Sequence, residues 1–361
     1  LYRLIQKMPK GGILHLHTGA MGDVDWVINK AISLPEMYIY WANENRNYIK
    51  GQLFAFKEKA VPDGFVQVKK IHETNPNFYS ELRSLLTFDE EMDRDSVDIW
   101  KEFQSIFQRL GGLTHYRPVF IDFVTHGLQL LAADNIQHAE LRMPFYDYLY
   151  DLETGKLKGA FIESLEQILQ NIRKTDPEFT IKVIHVDLRF KDEATIWKDI
   201  QQAYAYRKKY PDWLKGYDLV AEEDNGHATL FHAKTFLRLD SMELAEGVSF
   251  PLYLHDGESN WASVDNLYDA VLLGTKRIGH GFNLFRFPGL LDMVREKNIA
   301  MEINPLSNQV LGYIRDLRLH PASTYLRRGI NCTISSDDPL IFDYHGLSYD
   351  YWSVFLAWEL D

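Results

Sequence analysis

Apolar and β-branched residues gather in eight short runs, at 13–17, 139–143, 181–188, 217–221, 252–255, 277–281, 300–304 and 331–336, which read as strands. The stretches after the second run carry a helical period instead. Phe161, Leu165, Ile168, Leu169 and Ile172 fall on one face of a helix over 161–173, and 195–208, 266–273 and 288–296 behave alike. Strand and helix alternating in this way predict a parallel sheet, and eight such units close into a (β/α)8 barrel. The whole chain, 1–361, reads as that single barrel.

The interval from Thr18 to His138 is too long for one crossover. Helices are expected at 100–110 and 119–132. Residues from about 34 to about 95, rich in Tyr, Phe, Asn, Lys and Glu, read as an insertion after the first strand. It is expected over the first βα loop, on the side of the barrel where active sites form.

Composition narrows the partners. A net charge of −12 argues against a nucleic-acid footprint and favours a small neutral or cationic substrate over a polyanion. The apolar runs fall far short of the roughly 18 residues of a membrane span. Cys332 is the one cysteine, so no intrachain disulfide can form, and its strand context predicts a buried, inert thiol. The chain begins at Leu1 rather than Met, which predicts a longer gene product.

Candidate chemistry clusters at the strand ends. His15 and His17 are two residues apart on a strand, so both rings share one face. His255 ends the fifth run, His280 the sixth and Asp337 follows the eighth. With 13 histidines a His-x-His spacing arises by chance about half a time, so the weight lies on the ordered set. Three histidines and an aspartate at one barrel mouth predict a mononuclear metal site with one position open to water. Imidazole and carboxylate without thiolate suit zinc best, with iron, nickel or manganese as the other divalent choices. Glu258, three residues past His255, is placed as general acid or base beside that water.

Several motifs then resemble one known family. They are Met8-Pro9-Lys10-Gly11 before the histidine pair, His255-x-Gly257-Glu258, Gly279-His280-Gly281, Ser307-Asn308 and Ser336-Asp337-Asp338-Pro339. Gly112-Leu113-x-His115-Tyr116-x-Pro118-Val119-Phe120, Asn308-Gln309-Val310-Leu311 and Gly346-Leu347-Ser348-Tyr349-Asp350 extend the likeness. Together they resemble the adenosine deaminase family, closest in type to its growth-factor-related extracellular members. The resemblance implies one zinc ion on His15, His17, His255 and Asp337. It implies that Glu258 protonates the purine nitrogen next to the reacting carbon, that His280 orients the attacking water, and that Asp338 contacts the purine. It further implies a small-molecule purine substrate, a homodimer and a secreted or periplasmic location, with the cytoplasm left open.

Three positions depart from the family pattern. Thr18 stands where an aspartate holds the ribose, and Ala221 stands where a glycine lets its backbone approach the purine. Asp256 replaces a small residue, and strand alternation aims it away from the metal. Glu222, in the acidic run Glu222-Glu223-Asp224 after the fourth strand, is a further candidate substrate contact against the alternative of a solvated loop, and His227 shares that loop. His115, His126, His138 and His185 read as structural, and Tyr146, Tyr148 and Tyr150 as a packed loop. The leading function is a zinc-dependent deaminase of adenosine or a related 6-aminopurine. The alternatives are a metal-dependent hydrolase of adenine or a modified purine, and a catalytically weak binding or signalling protein on the same barrel.

Overall fold

The barrel is built from two parallel arcs of four strands each. The computed structural model describes residues 1–88, 98–144, 149–157, 160–259 and 265–360. The first arc is β1 (Gly11–His17), β2 (Ile136–Met143), β3 (Thr180–Leu188) and β4 (Leu214–Val220). The second is β5 (His255–Asp256), β6 (Arg277–His280), β7 (Ala300–Ile303) and β8 (Cys332–Ile334). Single parallel bridges, Tyr217 to Leu252 and Leu16 to Asp337, join the arcs and close the ring. The (β/α)8 expectation holds.

The fifth strand is shorter than its apolar run. Pro251 has no N–H to donate, so only its carbonyl pairs, accepting from Tyr217 N at 3.0 Å. Gly216 sits where a Cβ would strike the Tyr253 ring and the Pro251 carbonyl. Absence of a side chain there lets β4 and the fifth strand approach.

Helices cover the outside, and their starts follow capping chemistry. Asp98, Asp23 and Asp192 accept from the backbone N–H of Lys101, Trp26 and Thr195 at the heads of helices Ile99–Thr114, Val24–Ser33 and Glu193–Lys209. The segment after β1 has secondary structure of its own. Strand Met37–Tyr40 pairs antiparallel with Leu53–Ala55 and Phe65–Gln67, followed by helices Val68–Thr74 and Phe78–Leu86. Its described part packs on helix Ile99–Thr114. There Arg109 donates to the carbonyls of Lys50 (3.1 Å) and Leu85 (2.8 Å). Gly112 lies so close to the Leu53 carbonyl that a Cβ would sit 2.0 Å from it. The segment therefore buttresses a helix whose Trp100, Phe103 and Phe107 line the central cavity, and none of its described residues lines that cavity.

Cys332 is half-buried and its thiol is pushed up to about 12 by burial, consistent with an inert group. No described helix is long and apolar enough to cross a membrane. Tyr146 and Tyr148 lie outside the described residues; Tyr150 donates to the Gly112 carbonyl and accepts from Ala55 N.

Candidate metal and acid–base centre

Barrel closure brings the two ends of the chain together. His17 N donates to the Asp337 carbonyl (3.0 Å) and Asp337 N to the His15 carbonyl (3.2 Å). Asp337 and His280 both hold a left-handed backbone, at φ 63° and 60°, which non-glycine residues adopt only at a cost of roughly 1–3 kcal/mol. That strain aims both side chains at the same point.

Four donor groups converge there. The Asp337 Oδ1 lies 3.1 Å from His15 Nε2 and 3.3 Å from His17 Nε2, which is 3.3 Å from His255 Nε2. His15 Nε2 and Asp337 Oδ1 are buried without a hydrogen-bond partner. Two buried lone pairs facing each other are unstable unless a cation or proton lies between them. Burial holds the His17 and His255 imidazoles below their ordinary value, hence neutral and able to ligate. For Asp337, burial pushes upward but His280 and its other imidazole neighbours outweigh it, so the carboxylate stays ionised. The donor set fits a divalent metal.

A second layer sets the tautomers. Carboxylates only accept, so His15 Nδ1 donates to Glu302 (2.8 Å) and His255 Nδ1 to Asp218 (2.6 Å), leaving both Nε2 lone pairs free. Arg142 binds Asp218 at 2.8 Å, the Leu14 carbonyl at 2.9 Å and also Glu302. Burial would raise Glu302, but Arg142 and Arg277 outweigh it and keep the carboxylate ionised. The sequence reading gives Arg142, Asp218 and Glu302 no role. Their signal was a charge inside an apolar strand of a sheet buried on both faces.

Glu258 Oε1 lies 3.7 Å from His280 Nε2. Burial first, then the Asp337 and Glu223 charges, raise Glu258 well above the carboxylate range, so it is protonated. Asp338 is raised by burial and by Asp337. The Glu258 loop is held from below by Glu223, which accepts from Gly257 N (2.8 Å), Glu258 N (2.8 Å), Ser259 N (3.3 Å) and Asn266 Nδ2 (2.9 Å). Asp224 accepts from the Ser259 hydroxyl. Glu223 and Asp224 of the acidic run thus clamp this loop.

The substrate candidates divide. Thr18 and Ala221 line a cavity of about 490 Å³ that opens on the centre. Thr18 Oγ1 already donates to the Arg142 carbonyl at 3.2 Å. Ala221 has φ 85°, a conformation that suits glycine. Glu222 does not line the cavity; its carboxylate accepts from Asn225 at 2.6 Å instead. His227 stacks on Phe231 at 3.9 Å, also off the cavity. Asp256 points away from the centre and accepts from Thr229 Oγ1 (2.6 Å) and Arg189 (3.3 Å).

Neutral imidazoles, an ionised carboxylate and a protonated acid meeting at one buried point are the equipment of metal-assisted hydrolysis, which places the chain among the metal-dependent hydrolases on a (β/α)8 barrel. A family model described as adenosine deaminase matches residues 78–355. Adenosine deaminase 2 of Dictyostelium discoideum is 34% identical over 368 residues, covering 100% of this chain and 67% of its own. The Homo sapiens protein of that name is 33% identical over 374 residues, covering 99% and 71%. The chain belongs to the adenosine deaminase family. Among solved structures, the arabidopsis N6-mAMP deaminase shares the fold with a TM-score of 0.67 at 15% identity, covering 99% of this chain and 90% of that one. The adenine deaminase of Arthrobacter aurescens does so at 0.64 and 15%, covering 98% and 89%. The chain is accordingly a metal-dependent aminohydrolase, a hydrolytic deaminase of adenosine-like purines.

Proposed function

We propose that the metal is zinc, held by His15, His17, His255 and Asp337, and that the substrate is a neutral 6-aminopurine, adenosine or a close relative. The observation that carries this reading is the pair of orphaned buried atoms, His15 Nε2 and Asp337 Oδ1, 3.1 Å apart, with the buried Glu258 carboxyl 3.7 Å from His280 at the same point. When bound, the ion would supply Lewis acidity, lowering the pKa of a water toward about 7.

The chain's own residues do the rest. Glu258 delivers its proton to the ring nitrogen next to carbon 6, which makes that carbon electrophilic. His280 contacts the attacking oxygen, and Asp338, kept protonated by burial beside Asp337, faces the other side of the purine. The oxygen of water bonds to carbon 6 and gives up both its protons. One goes to the amino group, which leaves as ammonia when its bond to carbon 6 breaks, and one to the Glu258 carboxylate. A 6-oxopurine protonated at the ring nitrogen remains and the acid is restored. The aromatic wall of Trp100, Phe103 and Phe107 excludes water from the reacting face.

Charge favours a neutral substrate. Among the described residues the cavity's cations are Arg142 and Lys191, and each is already bonded to two carboxylates. Arg142 holds Asp218 and Glu302; Lys191 holds Asp187 (2.5 Å) and Asp199 (2.9 Å). A phosphate would meet Asp187, Asp337 and Asp338 without a free positive partner. The test is metal analysis together with ammonia release from adenosine, 2′-deoxyadenosine, adenine and AMP. Zinc near one per chain with turnover of neutral purines is expected. Preference for AMP, or no release from any of the four, contradicts the reading.

A second reading keeps the chemistry and changes the purine. Thr18 spends its hydroxyl hydrogen on Arg142, and the Ala221 methyl occupies the cavity wall. Both observations favour adenine or a modified 6-aminopurine over a ribose anchored by a charged acceptor.

A further inference from the structure

We propose that His320 and Asn308 fix the tautomer of His280, so that its Nε2 carries a hydrogen into the cavity and His280 stays outside the metal's coordination. The argument starts from a group that can only donate. Ala322 N lies 3.1 Å from His320 Nδ1, so that nitrogen must be the acceptor. The hydrogen of His320 is then on Nε2, 3.1 Å from Asn308 Oδ1. With its oxygen so engaged, the Asn308 amide turns its Nδ2–H toward His280 Nδ1 at 3.2 Å. His280 therefore accepts at Nδ1 and bears its hydrogen on Nε2, which lies 3.7 Å from both Glu258 Oε1 and Asp337 Oδ2.

Three features hold the relay together. His320, Asn308 and His280 are each 1% exposed, so water does not compete for the bonds. Phe282 and Trp358 flank the His320 ring, and burial holds its pKa down to about 3, which keeps it neutral. Asn304 Nδ2 lies 3.5 and 3.4 Å from the two His280 nitrogens and favours neither.

The consequence is a sorting of the histidines. His280 sits nearer to His15 than His17 does, its ring 5.0 Å from that of His15 against 5.5 Å for His17, and 5.2 Å from that of His255. Proximity alone does not separate it from them. His15 and His255 donate from Nδ1 to carboxylates and so offer lone pairs inward, whereas His280 accepts from an amide and offers a hydrogen. It is a hydrogen-bond donor to oxygen at the reaction centre and has no lone pair for a general base. Asn308 and His320 are positioning residues acting through it. Only this catalytic consequence rests on the proposed deamination; the tautomer stands without it.

Side-chain ¹⁵N NMR of the histidines in the unmodified protein reads the tautomer directly. Hydrogen on His280 Nε2 is expected, and hydrogen on Nδ1 or on both nitrogens overturns the proposal whether or not the protein deaminates anything. Asn308→Asp is isosteric but only accepts, so it should move the His280 hydrogen to Nδ1. With that change kcat should fall ~100-fold or more, KM should stay within about threefold, and metal should be retained. A normal kcat alongside the moved hydrogen would refute the donor role. His320→Gln can still accept from Ala322 and donate to Asn308, so it should keep kcat within about threefold, while His320→Leu should lose about tenfold or more. Equal losses in those two variants would reduce His320 to packing and overturn its place in the relay.

Discussion

The carboxylate of Glu223 accepts the backbone N–H of Glu258 at 2.8 Å and, with the amides of Gly257 and Ser259, fixes the loop that presents the acid. Two acidic residues from successive barrel units are thus bound through the backbone of one and the side chain of the other. The same proximity contributes to keeping Glu258 protonated, after burial and the Asp337 charge.

Glu258→Gln keeps the shape but cannot deliver a proton, so turnover should fall ~100-fold or more with metal content unchanged. Glu223→Gln replaces one acceptor oxygen by a donor facing backbone N–H groups, and about a tenfold loss in kcat is expected. Because Glu223 acts through Glu258, the double variant should be little worse than Glu258→Gln alone. Steady-state kinetics of the three variants decide it; fully additive losses would mean that the two residues act separately.

Metal retention should separate the histidines. His255→Ala leaves three donors and should strip the ion, whereas His280→Ala should keep it and lose only rate. Glu302→Gln disturbs the His15 tautomer through their 2.8 Å bond and should weaken metal affinity by about 10–100-fold. Metal content after dialysis against a chelator measures all three. Zinc loss from His280→Ala would show that it is a ligand.

Specificity should follow Thr18 and Ala221. A missing charged acceptor is worth roughly 1.5–3 kcal/mol, about a ten- to hundredfold penalty in kcat/KM for adenosine. Thr18→Asp should recover part of it, seen as a changed ratio of adenosine to adenine turnover. Ala221→Gly relieves a left-handed alanine and should raise stability by roughly 1 kcal/mol. An adenosine kcat/KM near ~10⁶ M⁻¹s⁻¹ in the unmodified protein would show that other contacts compensate.

His320 predicts an acid limb in stability. It is 1% exposed, and burial holds it down to about 3, whereas the unfolded chain protonates it near 6.5. Between those values the unfolded state binds the extra proton, so stability falls as pH drops, by about 1.4 kcal/mol per unit from this group. Below about pH 3 both states are protonated and its contribution levels off. His320→Gln should flatten the urea-unfolding profile between pH 6 and 4 by up to one proton; an unchanged slope would refute the assignment.

Much of the barrel was legible locally. Apolar runs of strand length, separated by helical periods, are properties of neighbouring residues, and their order implied a parallel closed sheet. Parity along β1 put His15 and His17 on one face before any tertiary contact was known, and the strand ends marked His255, His280 and Asp337. What lay beyond reach depended on closure. The His15–Glu302 bond spans 287 positions, and the Arg142–Asp218 and Glu223–Glu258 contacts join different barrel units. No local pattern encodes such pairings. Glu222 and Glu223 are adjacent in the chain, yet successive side chains leave the backbone in different directions, so one bonds Asn225 while the other clamps the acid. The segment after β1 read as an insertion without strands of its own because antiparallel pairing of three short strands is non-local and leaves little periodicity in each. The chain by itself determined which groups could do the chemistry; only the closed barrel decided which of them face the cavity, because side-chain direction and burial are set by partners distant in sequence.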